Sequence, residues 1–525
     1  MPEPRPARGA AFLVFVGIFA SRAFGLVRTT YMASSLGASG SVAADAFSAA
    51  FRIPNMVQNL LGEGALSASF IPVYARLLAE GDEEEASRVA GAVAAWLGVA
   101  VAVAVAVGVA LTPQLVSLIA TGFNAEQRDL TITLTRIMFP GSGLFVLSAW
   151  CLGIQNSHRR FLLSYAAPVI WNVTMIAAIL AFRDIAKVDL AQRLAVASVI
   201  GAALQLAIQI PTSLKLLGRL GLSLDRTSEN VRSVGRTLGP ALTSRGVVQI
   251  SSFIDQQIAS WLPVGMTATI GYATQLYTLP VSLFGMSISA AELPEMSRLS
   301  ADPDAIEKVR ARLQASLRQV SFLVVPSAVA FLALGDVIAG LVFQRGHFTA
   351  QDTQYTWAIL AGSAIGLLAN TLSRVYSSTF FALRDTRTPF RVALVRVALG
   401  AALGWILAVL VPPKIGLDPH WGAAGLTVAM GLAGQVEYGL LKARLTERIG
   451  PTGAPWGFMG SLWAAATLSA AVAWVVKLAA AGIHRLAAAS LILLTFAAVY
   501  AVATLALRVP ESWRVIERVR SRLSR

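Results

Sequence analysis

Residues 21–76 read SRAFGLVRTTYMASSLGASGSVAADAFSAAFRIPNMVQNLLGEGALSASFIPVYAR. The stretch is apolar enough to supply two membrane helices, yet Arg22, Arg28, Asp45, Arg52 and Glu63 are embedded in it. An arginine or aspartate at the centre of a membrane helix costs roughly 2.5–3.5 kcal/mol on insertion scales, so such charges are expected to turn away from lipid and line a wet interior. The conflict between apolar run and embedded charge predicts an all-α polytopic membrane protein with a polar inner face.

The rest of the chain agrees with that reading. Of 525 residues, 56% are hydrophobic and 14% charged, against roughly 25% charged in soluble domains, and the mean hydropathy is +0.65. The net charge of +15 does not point to nucleic acid, because the basic residues fall in short clusters between apolar runs, the positive-inside pattern. The lone cysteine, Cys151, allows no intramolecular disulfide and no cysteine metal site. The N-terminal apolar run resembles a signal peptide but continues through Arg22 and Arg28, and is expected to be an uncleaved first span.

A span needs roughly 20 residues to cross about 30 Å of hydrocarbon. That rule predicts helices near 10–34, 42–78, 89–118, 131–154, 161–182, 192–214, 234–262, 267–297, 313–343, 353–382, 389–411, 420–442, 456–480 and 486–507, about fourteen in all. The second is expected to be interrupted, since Pro54, Gly62, Gly64 and Pro72 fall within it. Lys and Arg concentrate in alternate loops, which predicts a multi-pass protein of the bacterial cytoplasmic (inner) membrane with both termini cytoplasmic.

An internal repeat is visible. Ser21-Arg22 is echoed by Ser244-Arg245, PNMVQNLLGEGALSASFIP by PVSLFGMSISAAELP, and GSGLFVLSAW by GSAIGLLANT. The expected organisation is therefore two parallel six-helix lobes, 1–225 and 226–450, followed by two C-terminal helices and a basic tail at 451–525. Such repeats predict alternating access around a site near the midplane.

Helical periodicity places Ser21, Gly25 and Arg28 on one stripe, Asp45, Arg52 and Asn59 on another, and Arg245, Gln249, Ser252 and Gln256 on a third with Asp255 beside it. Brought together, these make a cationic cavity suited to a phosphate-bearing guest, because arginine bonds phosphate bidentately and stays charged. The plainer alternative is structural ion pairing of Asp45 with Arg22 or Arg28. Arg136, Arg374, Arg396 and Lys477 read as structural, and Glu292 and Glu437 stay open. No Walker A loop, glycine-rich nucleotide fingerprint or HExxH spacing occurs, so neither an enzyme nor a bound cofactor is expected. The acidic run from Asp82 to Glu85 reads as a solvated face.

Six segments carry a resemblance: SR-x-x-G-x-x-R at 21–28, DAF at 45–47, AFRIPN at 50–55, EGALSASFIPVY at 63–74, FQRGHFTAQDT at 343–353 and FFALRDTRTP at 380–389. They resemble the MurJ (MviN) family of lipid II flippases, within the multidrug/oligosaccharidyl-lipid/polysaccharide exporter superfamily, and the resemblance covers essentially the whole chain. It implies movement of lipid II from the cytoplasmic to the periplasmic leaflet, with membrane lipids as surroundings, a monovalent cation as a possible coupling partner and the polyprenyl tail near the last two helices. Arg22, Arg28 and Asp45 match functional charges of the family's first lobe.

The sequence also departs from the family. Gln58 stands where the PN-x-x-R stretch commonly has arginine, Gln275 where a YA-x-R-L motif has arginine, and Thr29 where an acid usually follows Arg28. Asp255 matches a sodium-site acid of some members, but residues 389–411 offer it no Asn or Asp partner. The expected substrate-binding set is Ser21, Arg22, Arg28, Asp45, Arg52, Gln58, Arg245 and Gln275, with Asp255 the ion-coupling candidate. Arg52 and Arg245 are expected to compensate for the two glutamines. The rival readings are a MATE-like or polysaccharide-unit exporter, which for drugs would favour acids over arginines, and a polyprenyl-phosphate glycosyltransferase, which would need acids and a nucleotide-sugar site.

Overall fold

The computed structural model describes residues 8–218, 221–225, 227–299, 305–480, 482–514 and 517; a few side chains inside these ranges, those of Glu63 and Arg245 among them, lie outside the description. Among the described residues the regular structure is helical throughout. Packing groups the chain into two compact units, Met1–Ala268 with Arg345–Phe348, and Thr269–Gln344 with Thr349–Arg525.

The first unit holds α1 (Arg8–Leu36), α2 (Val42–Leu61), α3 (Glu63–Glu80), α4 (Glu83–Ala110), α5 (Thr112–Ile119), α6 (Ala125–Ser157), α7 (Phe161–Ala181), α8 (Lys187–Leu217) and α9 (Glu229–Ala259). The break between α2 and α3 falls at Gly62, inside the segment whose prolines and glycines predict an interruption. Its N–H reaches back to the Gln58 carbonyl, against which a Cβ would collide, so a close approach of backbone requires glycine here. On α4 two apolar stripes run side by side. Val89, Val93, Leu97 and Val101 are buried against the unit, while Val99, Val103 and Val107 are exposed, as expected of a helix with one face on protein and one on lipid. Leu66, Phe70, Tyr74 and Leu77 of α3 pack with that buried stripe and with Val146, Trp150 and Ile154 of α6.

The acidic run before α4 does more than meet solvent. Asp82 accepts from the Glu85 N–H and caps the helix, and Glu85 accepts from Ser228 Oγ and Asn230 Nδ2 at the start of α9. Arg76 Nη2 donates to Asn230 Oδ1 at 2.7 Å, and Gly122 N–H to Ser260 Oγ at 3.1 Å. These ties hold α9 with the first unit, so the division by packing comes after α9, whereas the repeat divides the chain before it.

The second unit holds α10 (Met266–Pro280) from Thr269 on, its first turn belonging to the first unit, with α11 (Ser287–Leu299), α12 (Ala305–Phe343), α13 (Ala350–Ala382), α14 (Arg387–Trp405), α15 (Val411–Lys414), α16 (Gly422–Ile449), α17 (Trp456–Ala479) and α18 (Arg485–Ala506). A π-helical turn, Val281–Met286, separates α10 from α11. It falls in PVSLFGM, the echo of the stretch broken at Gly62, so both copies interrupt a helix at equivalent places. Gly366 and Gly431 let α13 and α16 approach backbone to backbone, the small-residue packing common between membrane helices. Asp385 of the FFALRDTRTP motif accepts from the N–H groups of Arg387 and Thr388, from Thr388 Oγ1 and from Arg448 Nη2, fixing the turn into α14.

By length and composition, nine helices among the described residues can cross a membrane. The other five predicted spans fall in α1, in α2 and α3, in α9, in the segment from α10 to α11 that the π turn interrupts, and in α16, none of which is among the nine. The fold is thus an all-α polytopic membrane protein, and fourteen crossings remain an expectation.

Candidate functional site

Asp45 lies in the first turn of α2 and is 1% exposed. Its Oδ2 accepts from Gly265 N–H at 2.6 Å and from Gln127 Nε2 at 2.9 Å, and its Oδ1 from Ala268 N–H at 2.8 Å. The carboxylate therefore sits on the amino end of α10, where unsatisfied N–H groups and the helix dipole favour an anion. Neither Arg22 nor Arg28 forms an ion pair with it. Gly265 makes the approach possible: its φ is +94°, and a Cβ there would collide with the Ala38 carbonyl. The neighbouring Gly40 N–H donates to Val264 O at 2.8 Å. A matching contact joins the middle of the FQRGHFTAQDT motif to the end of α1, where His347 N–H donates to Ser34 O at 2.7 Å.

Arg28 is held differently. Its guanidinium carbon lies 4.5 Å from the centroid of the Trp171 ring on α7, a cation–π contact. Its Nε is buried and has no hydrogen-bond partner among the described residues. The indole is itself fixed, stacked by Phe51 at 5.7 Å, met edge-on by Phe145 at 5.8 Å, and donating through Nε1 to Ser198 O at 3.1 Å. A half-buried guanidinium with a rigid aromatic floor and an unused donor is prepared for an anion.

Arg52, on α2, donates to Ser252 O of α9 at 3.4 Å, a long bond, and interacts electrostatically with Asp255 on the same helix. The ion-coupling candidate thus lies in the field of a substrate-binding candidate. Ser21 is half-buried and Arg22 exposed on α1. Gln58 lines a cavity of about 400 Å³ between α2, α3, α6, α7 and α8. Gln275 is half-buried on α10, in the second unit. Arg245 belongs to α9, and its side chain is outside the described residues.

Four residues of this region escape a search for charge: Trp171, Gln127, Gly265 and Gln205. Trp171 and Gln127 owe their importance to partners roughly 80 to 140 positions away in sequence. Gln205 had a readable signal, because Gln205, Gln209 and Ser213 recur every four residues along an otherwise apolar helix.

Of the charges read as structural or left open, Arg396, Lys477, Glu292 and Glu437 find partners in the second unit. Arg396 pairs with Glu437 at 3.4 Å, Arg312 with Glu292, and Lys477 with Asp336 while stacking on Trp474. The second unit also contains an apolar cavity of about 510 Å³, walled by Leu368, Leu372, Trp456, Met459 and Trp463, with Lys442 in its lining.

Solved structures of membrane transporters share this all-α polytopic fold. A multidrug resistance MATE family transporter of the MOP superfamily, in an inward-facing conformation, aligns with a TM-score of 0.65 at 15% identity, covering 84% of this chain and 98% of that one. A lipid II flippase MurJ in an inward closed conformation aligns with a TM-score of 0.76 at 22% identity, covering 95% of this chain and 99% of that one. The chain belongs to the lipid II flippase MurJ family, whose model matches residues 32–507. A probable lipid II flippase MurJ of Rhizobium tropici is 33% identical over 393 residues, 74% of this chain and 73% of that protein.

Proposed function

We propose that this protein is a lipid II flippase, carrying the lipid-linked peptidoglycan precursor from the cytoplasmic to the periplasmic leaflet of the inner membrane by alternating access. Both termini are cytoplasmic in this reading, and fourteen helices cross the bilayer in two six-helix lobes plus a C-terminal pair. The observation that carries it, together with family membership, is Arg28: a half-buried guanidinium on Trp171 whose buried Nε is an unused donor suits the diphosphate of the substrate. Ser21 and Arg22 extend the same helix face, and Arg52 and Arg245 supply further cations. Gln58 and Gln275 contribute neutral hydrogen bonds, and Asp45 fixes the position of α2 relative to Gly265 and Ala268. Asp255 is the group through which a monovalent cation would couple to Arg52.

The apolar cavity beside α17 suits a polyprenyl chain, with Trp456 and Trp463 in its wall and Lys442 nearby for the interface. A MATE-like role shares the fold, but cationic drugs call for acids, and the charge held on the Trp171 ring with an unused donor is an arginine. Catalysis forms no part of the proposal.

The test is complementation of a strain depleted of its own lipid II flippase, with lipid II exposure on the periplasmic face measured at matched protein level. Rescue together with exposure supports the flippase. A chain that accumulates in the membrane and exposes no lipid II carries something else.

A further inference from the structure

The polar face of α8 is arranged in two parts. In the first, Gln155 Nε2 of α6 donates to Gln209 O and to Ser213 Oγ, each at 3.1 Å, and Ser164 Oγ donates to Gln155 Oε1 at 3.2 Å. These bonds join α6, α7 and α8 as interhelical polar contacts do in membranes, and that role accounts for them.

The second part is not accounted for in this way. Gln205 Nε2 donates to Ser148 Oγ at 2.9 Å, and Ser148 Oγ donates to Gln209 Oε1 at 2.5 Å. Gln205 is 6% exposed, yet its Oε1 has no protein partner among the described residues. A buried carbonyl left without a donor carries a desolvation penalty that nothing in the protein offsets. Gln205 and Ser148 line the cavity of about 400 Å³, together with Gln58, Asn59, Ser67 and Gln209, and among the described residues no ionisable side chain contributes to its wall. Its volume is within the roughly 300–1,000 Å³ typical of small-molecule sites.

The chemistry of the wall restricts the guest. With no cation to meet it, a phosphate would lose its hydration uncompensated. A guest rich in hydroxyl and amide groups can donate to Gln205 Oε1 and exchange bonds with Gln58, Asn59 and Ser67. Phe145, also in the wall, offers an aromatic surface and meets edge-on the same Trp171 ring that carries Arg28. An anion-holding arginine and a neutral polar cavity are thus linked through two packed aromatic rings.

We propose that this cavity is a sugar subsite. It receives the uncharged glycan part of the transported head while Arg28 holds the diphosphate, and Gln205, Ser148 and Gln58 are the residues that read its hydroxyl and amide groups. The proposal deepens the flippase reading and rests on it. It gives the departure at Gln58 a purpose, since an arginine there would place a charge in the neutral wall.

The experiment uses the purified full-length protein in nanodiscs and two probes, a polyprenyl diphosphate bearing the disaccharide-pentapeptide and the same polyprenyl diphosphate with no sugar. Binding is read by native mass spectrometry. Gln205→Met removes the unpartnered carbonyl, and Ser67→Phe fills the cavity from an exposed position, so that a failure of the first variant to fold leaves the second. Each is expected to weaken binding of the glycosylated probe about tenfold, the equivalent of one or two neutral hydrogen bonds, and to leave the bare diphosphate unchanged. Arg28→Gln is expected to weaken both. If the two cavity variants bind the glycosylated probe like wild type, or weaken both probes equally, the sugar subsite is wrong and the flippase reading stands. If wild-type protein binds neither probe, the flippase reading falls and takes the subsite with it.

Discussion

Asp45 and Arg28 are both embedded charges of the first two helices, and the protein treats them in opposite ways. Asp45 has both oxygens occupied by two backbone N–H groups and the Gln127 amide. Arg28 rests on Trp171 and retains a buried Nε that no described residue uses. A satisfied buried charge holds a structure together, whereas an incompletely satisfied one is held in readiness for something that arrives. Charge in a membrane helix is therefore only half of a functional signal, and the inventory of its partners is the other half.

The largest effect follows from that contrast. Asp45→Ala would leave the N–H groups of Gly265 and Ala268 and the Gln127 amide without their acceptor, a loss of about 3 kcal/mol or more. The variant is expected to be depleted from the membrane, and Asp45→Asn, which keeps one carbonyl oxygen, to be intermediate. Membrane abundance and the thermal midpoint of purified protein measure this. An Asp45→Ala protein that accumulates with wild-type stability and merely fails to transport would make Asp45 a substrate ligand and erase the distinction from Arg28.

Arg28 and Arg52 sharpen the comparison at the next level. The sequence argument ranks Arg52→Gln as at least as damaging as Arg28→Gln, since Arg52 would stand in for the missing arginines. The opposite order is expected from the contacts of Arg52, which already faces Ser252 O and Asp255. Arg28→Gln is expected to lower the flipping rate by about 2 kcal/mol in effective barrier, a factor of about 30, with normal abundance. Arg52→Gln is expected to lower it about threefold, with Asp255→Asn added to it costing little more. Lipid II exposure at matched protein level measures all three, and a larger loss for Arg52→Gln would restore the compensation argument.

These cases also mark what could be read without a structure. Apolar run length located each predicted helix, and Pro54 with Gly62 located the interruption between α2 and α3, because both signals are local. The partners of Asp45 were illegible: Gly265 and Ala268 lie more than two hundred residues away and act through backbone atoms, which leave no trace in side-chain chemistry. Trp171 was hidden for a related reason, since a tryptophan in an apolar helix looks like packing until a guanidinium is found over it. The run from Asp82 to Glu85 was legible in part: Asp82, Glu83 and Glu84 are exposed as a solvated face should be, but charge density says nothing about Ser228 and Asn230 standing opposite Glu85.

The smallest effect lies at the surface, where a satisfied carboxylate can be titrated without unfolding the membrane core. Asp225 accepts from Thr227 Oγ1 and Thr227 N–H, each at 2.6 Å, and from Arg88 Nη2 at 2.6 Å. The Thr227 hydroxyl first, then the Thr227 N–H and Arg88, hold its pKa down at about 2, from an ordinary 3.8. A depressed carboxylate contributes its stabilisation fully above the unfolded value and loses it as pH falls through the folded one. The segment before α9 should therefore keep the same protection from pH 9 down to about 4, and lose it progressively between about 4 and 2. Hydrogen exchange at the Thr227 amide measures the opening, and Asp225→Asn should reproduce at pH 7 the exchange seen in acid. Opening that begins at pH 6 would identify a histidine rather than Asp225 as the titrating group. His158, whose Nε2 lies 2.9 Å from Tyr74 Oη, would then be the first residue to replace.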